Sequence, residues 1–156
     1  MEDIEKTNWW AYMDEPMRDL VRQSVTLLDL QLPPQHDYGF AVFPMAKAYE
    51  GFLKKLLFNL ELITKQQYAG DRFRIGRALN PNLPKRYQHD WVFGKLTDYC
   101  GGTHTPLLLW EAWKQGRNSV FHFYPDHTKL TTHDEAREKV KMITEAMAKA
   151  LAGCRV

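Results

Sequence analysis

The segment Arg117-Asn118-Ser119-Val120-Phe121-His122-Phe123-Tyr124 sets an arginine five positions before a histidine. Arginine stays charged and offers a planar fork that fits a phosphate. Histidine, with an unperturbed pKa of about 6.5, can give or take a proton near neutrality. Asn118 can donate and accept, and so can orient His122 or a phosphate oxygen. Metal-free cleavage of RNA needs such groups. One must take the 2′-hydroxyl proton, one must offset charge on the phosphorane, and one must protonate the leaving 5′-oxygen. Each residue also has a plainer use. His122 lies among Val120, Phe121 and Phe123 and can be a packed or capping histidine. Arg117 can pair on the surface, and Tyr124 can close a helix.

Other chemistry is poorly served. His122, His127 and His133 stand five and six residues apart, with Asp126 and Asp134 nearby. No pair has the i,i+4 spacing of a helical zinc site. The reading therefore calls for no metal and no cofactor. Cys100 and Cys154 are the only cysteines. Neither has a histidine close in sequence to make it a nucleophile, and the count fits free thiols in a reducing compartment.

Charge divides the chain. Residues 1–50 hold four Lys/Arg against nine Asp/Glu, a balance of −5. Residues 51–118 hold eleven against five, a balance of +6. A basic middle fits an anionic partner. Arg72, Arg74, Arg77, Lys85 and Arg86, together with Lys95, can track a phosphate backbone. Tyr68, Phe73, Tyr87 and Trp91 lie between them and can stack bases. The same aromatics can instead anchor a long loop, and the arginines can face solvent or pair with Asp14, Glu15 and Asp19.

The elements that must position these groups read as helices. The first starts at Asp14, with Pro16 in its first turn, and stops at Pro33-Pro34. The second follows Pro44, where Tyr49, Phe52, Leu53, Leu56, Leu57, Leu60 and Ile63 recur at three- and four-residue steps. Residues 71–80 can form a short helix carrying Arg72, Arg74 and Arg77, and residues 90–99 another. Pro106 opens a helix that Pro125 closes, locally weakened by Gly116. Thr132 and Glu135 have capping-box spacing ahead of a last helix with Ala136, Val140, Ile143, Met147 and Leu151 on one face. The expectation is one all-α domain, residues 1–156, with about five helices. On a straight helix, five steps turn His122 about 140° away from Arg117. Either the helix begins or bends near Gly116, or the arginine reaches around, or two chains build the site.

The Arg-polar-x3-His pattern, late in a helical chain and followed by a long final helix, resembles the signature of the HEPN superfamily. Those domains are small helical bundles, and many are metal-independent ribonucleases. Phe43-Pro44-Met45-Ala46-Lys47-Ala48-Tyr49-Glu50-Gly51-Phe52-Leu53-Lys54 is similar to the second helix of the C-terminal domain of RNase LS-type toxins. In that family a glutamate on this helix joins the arginine and histidine, and Glu50 is the matching position. The chain has no room for the additional N-terminal domains of RNase LS, so the likeness is to that domain alone or to a compact relative. The resemblance implies catalysis by Arg117 and His122 with Glu50 and Asn118 in support. It also implies a two-fold dimer with both motifs at one cleft, a cognate antitoxin, and a role in a toxin–antitoxin or phage-defence system. Tyr124 resembles the added tyrosine of HEPN toxins paired with nucleotidyltransferase antitoxins, a possible regulatory position. A HEPN module that only binds RNA or nucleotide, or drives dimerisation, is the alternative, and a plain helical interaction protein a third. From its residues alone, Glu50 at the edge of its apolar stripe can equally pair with Lys54.

Composition bounds these readings. With 156 residues, 44% hydrophobic and 26% charged, the chain can bury a core without a metal or disulfide. The apolar run Leu107 to Trp110 is far below the roughly 20 residues that span a bilayer. The acidic start Met1-Glu2-Asp3-Ile4-Glu5 is unlike a signal peptide. These features lead to the expectation of a cytoplasmic, non-membrane protein.

Overall fold

The computed structural model describes residues 3–126 and 129–154, which form an all-α fold with no strand. Nine α-helical segments occur among them: α1 (Asn8–Tyr12), α2 (Glu15–Asp29), α3 (Gly39–Asn59), α4 (Lys65–Ala69), α5 (Ile75–Ala78), α6 (Phe93–Tyr99), α7 (His104–Trp113), α8 (Ser119–Phe121) and α9 (His133–Gly153). Four are ten residues or longer, and these build the frame. α2 and α9 pack on α3, and α7 packs on α9.

The central helix is α3. It is apolar on most sides, with Tyr49, Phe52, Leu53, Leu56 and Leu57 fully enclosed. The Tyr49 hydroxyl donates to the Leu109 carbonyl at 2.8 Å, tying α3 to α7. Burial pushes that phenol well above its ordinary pKa. The sequence-based start after Pro44 is corrected here: α3 begins five residues earlier, at Gly39. The Asp37 carboxylate accepts from the Gly39 N–H at 2.7 Å and opens the helix. Pro44 cannot donate to the Phe40 carbonyl. In the same turn the buried Ser24 hydroxyl of α2 donates to Ala41 O at 2.6 Å, which ties α2 to this turn of α3.

The other boundaries shift for similar reasons. α2 starts at Glu15, one residue after the expected start at Asp14, whose carboxylate instead takes Lys55 Nζ at 2.6 Å, and the helix ends at Asp29, ahead of the prolines. The helix expected over residues 71–80 is only Ile75–Ala78, with Arg72 and Arg74 outside it. The α9 capping box forms as read, with both reciprocal bonds between Thr132 and Glu135.

The expectation of free thiols is also corrected. Cys100, after α6, and Cys154, after α9, are joined in a disulfide across 54 residues. The last helix folds back to place its end beside the end of α6. Disulfides persist in oxidising surroundings, so the cysteine argument for a reducing compartment no longer holds. No helix among the described residues is long and apolar enough to cross a membrane.

Candidate functional site

The segment carrying Arg117 is not a straight helix. After α7 the chain winds as a π turn over Lys114–Asn118, then makes the single turn of α8. Two features account for the wide turn. Gly116 is buried against α9, where an added Cβ would come within 2.8 Å of Ile143 Cδ1. A larger residue would have to displace the Ile143 side chain or part the helices. The Gln115 carbonyl is then held by the Ser119 hydroxyl and by Lys139 Nζ at 3.0 Å. Lys139 Nζ also donates to Ser119 Oγ at 3.1 Å. Burial lowers the Lys139 pKa, against a smaller opposing pull from Glu135.

The π turn aims Arg117 and Asn118 at an open cleft of about 390 Å³ between α3, α5 and the end of α7. Glu50 of α3 lines the same cleft, as do Arg74 and Arg77. Thus three of the four expected catalytic residues and two of the expected RNA-binding residues share one wall. The Arg117 guanidinium lies 5.1 Å from the Trp113 ring centre and 5.0 Å from that of Phe121. Its Nη1 donates to Asn118 Oδ1 at 3.3 Å. Aromatic faces on the helix therefore hold the cation with its fork toward the cleft. The expected surface partner of Glu50 is engaged elsewhere, since Lys54 Nζ donates to Gly70 O at 2.8 Å.

His122 is not brought to this wall. It follows Phe121 with extended backbone (φ −100°, ψ 131°), and its side chain is exposed. The helix expected to run to Pro125 ends there. Tyr124 follows outside any helix, and the proline after it disfavours helical backbone at that position. The straight-helix offset of 140° consequently does not describe this pair. Tyr124 is half-buried, with Lys129 Nζ 4.2 Å from its ring centre. His127 lies outside the described residues. Among those described, no three His, Cys, Asp or Glu side chains are placed to hold a metal ion.

The basic cluster is exposed, and Arg72, Arg74, Arg77, Lys85 and Arg86 form no ion pair among the described residues. The acidic front is neutralised nearby instead: Asp14 by Lys55, and Glu15 and Asp19 by Arg22. Arg77 and Arg86 both lie over the exposed Tyr87 ring, at 5.9 and 4.7 Å. Of the other aromatics in that stretch, Phe73 is buried, and Trp91 Nε1 donates to Asn80 O at 2.8 Å. These two anchor the loop, while Tyr87 is exposed beneath the two guanidinium groups.

Sequence reasoning missed Trp113 and Asp71, which also line the cleft. Trp113 reads as one more residue of an apolar helix side, and nothing in its spacing marks it as facing a polar cleft. No known protein family, curated protein or solved structure matches the chain.

Proposed function

We propose that this protein is a metal-independent endoribonuclease of the HEPN type, acting as the toxin of a toxin–antitoxin or phage-defence system. The supporting observation is the convergence of Glu50, Arg117 and Asn118 on one cleft flanked by Arg74 and Arg77. Arg117 would offset charge on the phosphorane, and Asn118 would fix the arginine or a phosphate oxygen. His122 would move the proton, reaching the cleft across a two-fold axis from a second copy. The 2′-oxygen attacks phosphorus as its proton leaves to a base. The bond to the 5′-oxygen breaks as that oxygen is protonated, giving a 2′,3′-cyclic phosphate and a 5′-hydroxyl. RNA and a cognate antitoxin are the proposed partners. The reading puts the activity in the cytoplasm, and the Cys100–Cys154 bridge is the feature that argues against a reducing compartment.

Incubation of purified protein with mixed RNA in EDTA, beside His122→Ala, tests the proposal. Cyclic phosphate ends made by the wild type and not by the variant support it. Equal cleavage by a well-folded His122→Ala protein refutes it. The position of His122 outside the cleft favours one rival reading, a non-catalytic module that holds RNA or nucleotide there. Salt-sensitive RNA binding without cleavage would select that rival.

A further inference from the structure

We infer that the Trp113 indole N–H is a phosphate-binding donor of the cleft, acting with Arg74 and Arg77 on the backbone of a bound nucleic acid. The inference rests on the proposed reading of the cleft as an RNA site. It begins from Trp113, which is 4% exposed yet lines the cleft. Its indole nitrogen donates to no protein group among the described residues. No buried side-chain nitrogen among the described residues lacks a partner, so this unbonded N–H opens on the cleft, where an acceptor from outside the chain can reach it.

Gly76 sets this tryptophan apart from the others. It opens the α5 turn between Arg74 and Arg77, and a Cβ added there would lie 2.6 Å from Trp113 Nε1. The backbone of α5 therefore comes close to the polar edge of the indole without covering it with a side chain. Arg74, Arg77 and Arg117 surround the same space, and the ring face of Trp113 supports Arg117. Every one of these groups donates and none accepts, which suits an oxyanion. Glu50 and Asp71, the carboxylates of the cleft, oppose a second anion there, so a singly charged phosphodiester suits the site better than a dianionic phosphate. An apolar ligand would leave three guanidinium groups facing it.

The test uses the full chain carrying His122→Ala, labelled with nitrogen-15, so that RNA is not consumed. The chain has five tryptophans. The Trp113 indole signal is the one lost in Trp113→Phe, which keeps an aromatic face beneath Arg117. Inorganic phosphate and a non-cleavable 2′-O-methyl oligonucleotide are titrated separately at constant ionic strength. The expected result is a saturable downfield shift of the Trp113 indole signal, at far lower concentration with the oligonucleotide. Trp113→Phe should weaken oligonucleotide binding about tenfold, as loss of one hydrogen bond to a charged acceptor does. Gly76→Ala, with its melting curve as a check on folding, should weaken it by a similar factor. An unmoved indole signal together with wild-type affinity of Trp113→Phe overturns the inference. A shift with phosphate alone overturns its assignment to a nucleic-acid backbone. If the indole signal moves with the oligonucleotide but the wild-type protein cleaves no RNA, the phosphate site stands and the nuclease reading falls.

Discussion

Arg117 lies between the faces of Trp113 and Phe121 and bonds to the side chain of its own neighbour, Asn118. Its guanidinium is thus held in place by the protein, and on the proposed nuclease reading that matters, because charge is useful in a transition state only where it is fixed in advance. Arg117→Lys keeps the charge but loses the fork and the flat stacking surface. It should cut RNA cleavage by about 10²- to 10³-fold, while melting temperature stays close to wild type; single-turnover assays and calorimetry measure the two. His122→Ala should cost about 10²- to 10⁴-fold in the same assay, the range of a general acid or base. Arg117 and Asn118 stand out by their types and spacing and Glu50 only through the resemblance, and the structure brings the three to one cleft. The exit of His122 from the helix was not legible in the sequence. It depends on a glycine packing against Ile143 of α9, 27 positions later, and local periodicity carries no trace of such a contact.

The π turn over Lys114–Asn118 depends on that contact and on Lys139 reaching from α9 to the Gln115 carbonyl. Gly116→Ala must separate α9 from the turn or distort Ile143, and should destabilise the protein by about 1–3 kcal/mol in urea titrations, the usual range for overpacking. At the start of α9, Thr132→Ala removes a side-chain acceptor and should cost about 1 kcal/mol by the same measurement. The bonds from Thr132 hold the Glu135 carboxyl below its ordinary value of 4.5. A lowered carboxylate pKa stabilises the fold above that ordinary value and ceases to do so as pH falls through the lowered one. The stability advantage of wild type over Glu135→Gln should therefore be full at pH 6 and close on acidification; melting curves at several pH values measure it. Across the basic stretch, Arg74→Ala with Arg77→Ala should flatten the slope of log K against log salt by about 1.4, at roughly 0.7 per phosphate contact on a single strand. Elements were legible where local signals agree, as in α9, whose box and apolar face coincide. They were obscured where a distant partner decides. Pro44 reads as a helix start, yet α3 runs through it from Gly39, and the Ser24 bond that ties that first turn to α2 comes from a distant residue. The Thr64–Gln67 box before α4 stands in the sequence too, but five residues are too few for a period to show.

Viewed as one body, the molecule presents Phe43, Phe121 and Phe123 at the surface on either side of His122, with exposures of 45%, 36% and 77%. A two-fold dimer that brings His122 to a partner's cleft would cover them. Sedimentation at micromolar concentration should give twice 18.3 kDa, and Phe123→Asp should shift the protein toward the monomer and lower cleavage in parallel. The all-α class was readable from helical periods alone. The pairing of Cys100 with Cys154 was not, because it depends on how α9 returns across the bundle. By chain entropy, closing 54 residues is worth about 4 kcal/mol, so reductant should lower the urea midpoint of the wild type and leave Cys100→Ser with Cys154→Ser unmoved. The bridge also turns residues 100–154 into a covalent ring that contains the whole Arg117–His122 stretch and the exposed Lys129 ahead of α9. A protease that cuts once after Lys129 opens the ring without releasing a piece. The nicked protein should migrate as one band until a thiol is added and as two afterwards, because α9 stays tethered to the bundle only while the bridge is intact.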